Sequence, residues 1–197
     1  GESVLKGRSL FADRLGEEVG ASSLTLVDDP TDVAAFTATA SDGEGLATRR
    51  NVLVEDGRLL RFVHNSYTGR RSGGASTGSA VRGYASTPGV GIQALALTPG
   101  TRTQAELVAD VADGLLVQGV SGLHSGVNPV SGDFSTGAEG LRIRGGALAE
   151  PVREFTIAST LQKMLQDVLE VGGDLEWLPM RTAGVSLVIG DVTVSGA

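Results

Sequence analysis

Two histidines, His64 and His124, are the first residues to weigh for chemistry, and they stand sixty positions apart. A catalytic zinc wants three protein ligands, often with two histidines at i and i+4 on one helix. A site built from both plus an Asp or Glu is the sharper reading; two loop histidines is the plainer and favoured one. Ser125 follows His124 directly, but adjacent residues rarely form a nucleophile and its base. There are no cysteines, which excludes disulfides, thiolate catalysis and cysteine-held zinc. The acidic groups Asp28-Asp29…Asp32 and Asp42-Gly43-Glu44 offer hard oxygen donors without the twelve-residue EF-hand pattern, so solvated turn carboxylates are expected. Arg70, Arg71, the run Ser76-Thr77-Gly78-Ser79 and Arg82 could cradle an anion. They lack the GxxxxGK[ST] of a P-loop, and a flexible loop with solubilising arginines is the competing reading. No self-sufficient catalytic or metal-binding set is evident.

These residues sit in a chain of 197, with 16 basic and 23 acidic side chains and a net charge of −7. That length suits a single domain over 1–197. The acidic balance argues against bulk nucleic-acid binding, which relies on Lys and Arg neutralising phosphates. No apolar run approaches the length of a membrane span, and no segment reads as a signal peptide. Gly1 in place of an initiator Met leads us to expect a fragment, and the cytoplasm is the expected location. Glycine, at 29 residues, is about twice its usual share. Aromatics are only 4%, yet 41% of the chain is apolar, so disorder does not follow. Many glycines among alternating Val, Leu and Thr predict turns and bulges in antiparallel β structure.

The elements that must position any site follow from pattern. Leu5, Leu10, Phe11, Leu15 and Val19 are loosely helical in spacing. SSLTLVDDP predicts a strand entering a turn, and AAFTATA a further extended stretch. TRRNVLV and RLLRFVH around Glu55-Asp56-Gly57 predict a hairpin. Residues 72–91 read as a long loop preceded by one helical turn. IQALALTPG predicts a strand. Thr103 and Glu106 have capping-box spacing, so a helix starts there, and LLVQGV is a strand. FSTGAEGLRIRGG and ALAEPVREF form a second hairpin about Gly145-Gly146. TIASTLQKMLQDVLEVGG predicts the clearest helix, with Leu161, Met164, Leu165, Val168 and Leu169 on one core-facing side and Gly172 at C′. Trp177 packs beside Pro179, and GVSLVIGDVTVSG is β again. The sum is α+β: a mainly antiparallel, twisted sheet or barrel-like domain with two to three helices.

The stretch SGLHSGVNPVSGDFSTGAEGLRIRGGALAEPVREFTIASTLQKMLQDVLEVGGDLEW resembles the TldD/PmbA family, the so-called modulators of DNA gyrase. LKGRSLFADRLGEEV, LTLVDDP, DGEGLATRRNVLVEDGRLLRFVHNSYTGRRSGGASTGSAVR, GLLVQGV and MRTAGVSLVIGDVTVSG agree with it, so the likeness runs from Ser3 to Gly196. The resemblance implies the C-terminal domain of a longer protein whose N-terminal α/β part is absent here. One branch, TldD, carries an HExxxH helix upstream and a Cys near the C-terminus, which together hold a catalytic zinc. Here LEWLPMRTAG stands where that Cys segment would be, which is similar to the PmbA (TldE) branch.

The resemblance therefore implies a non-catalytic subunit of a heterodimeric metalloprotease that acts on unfolded or leader peptides. It implies no zinc in this chain, a zinc-bearing TldD-like partner, and an extended or unfolded peptide as ligand; an isolated domain could pair as a homodimer. Peptide contacts are expected from Ser125, Gly126, Asn128, Gly132, Ser135 and Gly137, the glycines admitting a second backbone and Asn128 and Ser135 hydrogen-bonding it. Against this stands a structural role, in which the same glycines only shape turns. Two other functions are weighed: a self-sufficient metallopeptidase using His64 or His124, and a DNA-associated gyrase modulator, which the net charge disfavours.

Overall fold

A computed structural model describes residues 1–196, which divide into two compact units. The first comprises residues 1–98 and 175–185, the second residues 99–174 and 186–196.

The first unit begins with α1 (Glu2–Leu5) and turns, so the helical spacing up to Val19 does not become a long helix. Strands β1 (Leu26–Asp28), β2 (Asn51–Glu55) and β3 (Arg58–Leu59) follow. The β2–β3 hairpin turns at Asp56 and Gly57, both at positive φ (48° and 78°), which is what an Asp-Gly type I′ turn requires. AAFTATA is turns rather than strand: Asp29 and Asp32 accept the amides of Thr31 and Ala34, curling the chain locally. Helix α2 (Ser66–Arg71) starts at a capping box between Asn65 and Thr68. The loop beyond it contains a ribbon, β4 (Ala80–Val81) with β5 (Gly89–Val90), before β6 (Leu95–Leu97). The main sheet runs β3-β2-β1-β6.

The second unit opens with α3 (Gln104–Ala109), whose Thr103/Glu106 capping box forms as its spacing requires. Strand β7 (Asp113–Ser121) leads into α4 (Leu123–Gly126), then the long hairpin β8 (Asp133–Arg144) and β9 (Ala147–Thr160). Helix α5 (Leu161–Gln166) and β10 (Val168–Val171) come next. The chain passes through β11 (Glu176–Trp177) and β12 (Ala183–Gly184) of the first unit, then ends in β13 (Leu187–Ile189) and β14 (Thr193–Ser195). The expected eighteen-residue helix is thus a correction. Residues 156–160 belong to β9, the helix is six residues long, and residues 168–171 pair with β13. Gly172 caps no helix; its amide donates to the Ser186 carbonyl.

The sheet β14-β9-β8-β7 has one buried face, where Phe155 (0% exposed), Ala138 and Ile157 pack with Leu115, Phe134, Val152 and Val192. Burying one Phe and its aliphatic neighbours contributes about 2–3 kcal/mol per large side chain. The architecture is α+β and antiparallel, as expected, with five short helices rather than two or three and no sheet closed into a barrel among the described residues.

Candidate functional site

The six residues expected to meet peptide all lie in the second unit, at the corner where α4 enters β8. Ser125 is exposed on α4 and its Oγ donates to the Gly122 carbonyl (3.2 Å). A Cβ on Gly126 would overlap the Ser135 carbonyl oxygen, so this glycine lets α4 lie against β8. Asn128 precedes Pro129 and closes an Asx turn: its Oδ1 accepts from the amides of Val130 (2.9 Å) and Ser131 (3.2 Å). Gly132 is buried at φ 86°, with the Gln162 side chain where a Cβ would be. Its carbonyl accepts the Leu161 amide (2.7 Å), tying the corner to the start of α5.

Ser135 and Gly137 lie on the other face of β8 from Ala138. A Cβ on Gly137 would stand 2.6 Å from the Ser121 hydroxyl of β7, its register partner. The three glycines therefore admit this chain's own groups, namely the Ser135 carbonyl, Gln162 and Ser121. The groups left with hydrogen-bonding capacity are the hydroxyls of Ser125 and Ser135 and the Asn128 Nδ2 amide.

Register extends the Ser135 face across the sheet. Gly137 pairs with Thr156, Ser135 with Ala158 and Asp133 with Thr160, while Thr193 and Ser195 of β14 oppose Ala158 and Thr156. The result is a face of small, mostly hydroxylated side chains. Beside it, β7 is the outer strand of the sheet, nine residues long, with Val117 (39%) and Val120 (43%) exposed. The sequence showed this strand but not its edge position, because edge and centre differ only through pairing with distant residues.

The metal donors do not assemble. Among the described residues no three His, Cys, Asp or Glu side chains are grouped to hold a metal ion. His64 lies half-buried with its Nδ1 3.2 Å from Thr68 Oγ1, and burial pushes its pKa below the ordinary value. His124 is exposed on α4. The acidic turns are occupied by backbone: Asp42 Oδ1 accepts the amides of Glu44 and Leu46 and its Oδ2 that of Ala80. No helix of the described residues is long and apolar enough to cross a membrane.

Comparison with known proteins decides the family. The model of the PmbA/TldA metallopeptidase C-terminal domain matches residues 1–196. The chain belongs to this family. It is 33% identical over its full length to a Haemophilus influenzae metalloprotease PmbA homolog and 29% identical to the metalloprotease PmbA of Escherichia coli O157:H7, covering 41% of each. It superposes on TldE from Thermococcus kodakarensis with a TM-score of 0.92 at 29% identity, over 99% of this chain and 45% of that one. A Thermotoga maritima protein, a candidate modulator of DNA gyrase, gives 0.92 at 30% identity over 98% and 44%. The chain thus spans about two-fifths of the length of these relatives.

Proposed function

We propose that this domain is the peptide-guiding part of a PmbA/TldE-like subunit, which works with a TldD-like partner to cleave extended or unfolded peptides. The observation that carries the reading is the nine-residue edge of β7, unpaired on its outer side among the described residues, beside a face of small hydroxylated residues. An edge strand presents alternate unpaired amides and carbonyls, and an extended peptide can add to them whatever its sequence. Small side chains let a second chain lie close to the sheet, and Ser125, Ser135 and Asn128 supply side-chain hydrogen bonds at its end.

Bond breaking is assigned to the partner. Among the described residues no donor set is grouped for a zinc ion, and the one histidine–hydroxyl contact, His64 Nδ1 to Thr68 Oγ1, falls on a buried threonine engaged in the α2 capping box. Zinc held by a partner would polarise the scissile carbonyl and activate water; this chain would hold the peptide straight and in register, which lowers the entropic part of the barrier. The test is hydrolysis of an unfolded peptide by the full-length protein, by a TldD-like protein, and by both. Turnover only in the mixture is expected; chelator-insensitive hydrolysis by this protein alone overturns the assignment.

A further inference from the structure

The first unit holds a feature that peptide guidance along β7 does not use. A solvent-open cavity of about 420 Å³ is lined by Arg49 and Arg70, with Leu46, Ala47 and Ala75 as its apolar members, all five exposed. Between residues 46 and 83 the chain carries seven arginines against two carboxylates, Glu55 and Asp56, in a protein of net charge −7. Two of those arginines are engaged: Arg50 lies 3.8 Å from Asp29, and Arg58 reaches Glu18. Arg49 and Arg70 have no carboxylate or other acceptor among the described residues, although both line the cavity.

We propose that this cavity binds a carboxylate of a peptide ligand, held between the Arg49 and Arg70 guanidinium groups; the proposal rests on the peptide-handling reading above and names a preference within it. Guanidinium forks match a planar carboxylate in two parallel hydrogen bonds, and two unpaired forks facing one cavity are the arrangement that chemistry asks for. Ala75 and Ser76, whose backbone amides donate to nothing among the described residues, line the same cavity. The apolar walls suit the methylenes or the terminal residue that carries the carboxylate.

The wall is fixed in place. Ser76 Oγ donates to the His64 carbonyl (3.2 Å) and accepts the Gly78 amide (3.1 Å). The Gly74 amide donates to the Gly69 carbonyl (2.9 Å), and Arg70 rides on α2, whose capping box anchors it. A carboxylate, Glu44, is held at Ser66 of the cavity lining. Its Oε2 accepts from the Ser66 amide (2.9 Å) and hydroxyl (2.7 Å), and it forms no ion pair with Arg49 or Arg70 among the described residues.

The test uses the full-length protein and two labelled peptides of one extended sequence, one with a free C-terminal carboxylate and a Glu, the other amidated with Gln. Affinity is read by fluorescence anisotropy. Occupancy is read by protection of individual arginines from phenylglyoxal, mapped by mass spectrometry. The carboxylate peptide is expected to bind about tenfold more tightly, as loss of one charged hydrogen-bonded pair would cost, and to protect Arg49 and Arg70. Arg49→Gln and Arg70→Gln should each remove most of that preference, and Arg153→Gln, an exposed arginine of the second unit, should leave it unchanged. Binding of the carboxylate peptide with Arg49 and Arg70 unprotected overturns the site and leaves peptide handling standing. Protection by inorganic phosphate but by neither peptide overturns the carboxylate assignment in favour of a phosphate ligand. If neither peptide binds anywhere, the peptide-handling reading fails along with it.

Discussion

Asp28 on β1 and Asn51 on β2 are register partners, both 0% exposed, and each keeps one side-chain oxygen without a hydrogen-bond donor. Asp28 Oδ1 is satisfied by the amides of Gln93 (2.8 Å) and Ala94 (2.7 Å), and Asn51 Nδ2 donates to the carbonyls of Arg49 (3.0 Å) and Thr77 (3.2 Å). Asp28 Oδ2 and Asn51 Oδ1 are the orphans. Desolvation raises the Asp28 pKa above the ordinary carboxylate value, against the lowering effect of its two amide partners. A proton on this carboxyl would make the orphaned Asp28 Oδ2 a donor instead of a buried bare acceptor.

That relationship fixes a sign for pH dependence. The folded protein binds the Asp28 proton more tightly than the unfolded chain, so between the ordinary Asp value near 3.9 and the raised folded value the native state carries the extra proton. The contribution is therefore present below the unfolded pKa and is lost as pH rises through the folded one. Denaturant unfolding of wild type and Asp28→Asn from pH 4 to 7 should show the variant gaining relative stability as pH increases. A relative gain by wild type would contradict it. Asp28→Ala, which strands two buried amides, should cost about 2–5 kcal/mol at any of these pH values.

The glycines of the α4–β8 corner make a second test, because packing and ligand contact predict different readouts. Gly126→Ala puts a methyl group onto the Ser135 carbonyl, and neither backbone can yield without moving α4. Gly132→Ala meets both positive φ and the Gln162 side chain. Each should destabilise by about 1–3 kcal/mol. Gly145→Ala, at φ 55° with open space around it, should lose only about 1 kcal/mol from backbone strain. Unchanged stability for Gly126→Ala with loss of peptide binding would return that glycine to the ligand side.

The loop after α2 should split in hydrogen exchange. Its distal part holds buried groups: Ser79 is 0% and Ala80 1% exposed, Gln93 Nε2 donates to the Gly78 carbonyl (3.2 Å), and Asn51 Nδ2 to that of Thr77. Tyr84 is fully exposed, and residues 82–87 bury nothing. Opening costs little where few contacts are lost. Amides of residues 78–81 should exchange slowly and those of residues 83–87 quickly; uniform exchange across the loop would count against this division.

What the sequence made legible was local. Thr103 with Glu106, and Asp56 with Gly57, carry their own geometry within four residues, and the structure forms the helix start and the hairpin they specify. Residues 156–171 failed for the opposite reason. Leu161, Met164, Leu165, Val168 and Leu169 fall on a helical face, but Val168 is buried and Leu169 69% exposed, the alternation of a strand, because β13, beginning at Leu187, pairs there. Ile157 follows Phe155 into the core with period two on β9, opposite β8. Likewise the Arg loop showed its charge in the sequence, whereas the pairing of Arg49 with Arg70 around one cavity depends on how β2 and α2 are placed.

The last prediction separates guiding from cutting. If a peptide adds to the β7 edge, its affinity comes from backbone hydrogen bonds, so alternate N-methylation of an unfolded substrate should abolish turnover by the mixed complex in one phase of alternation and spare it in the other, since only every second amide faces the sheet. Lys in place of Val117 or Val120 keeps the strand but adds charge and bulk to its exposed surface, a device that blocks strand addition at natural edges. Each should lower turnover by the mixture about tenfold, mostly through KM, without changing the partner's zinc content or the unfolding midpoint. Side-chain recognition would instead leave both N-methylated series equal and respond to substrate sequence. Equal turnover of the two series, together with wild-type KM in both Lys variants, would show that β7 is not where the peptide lies.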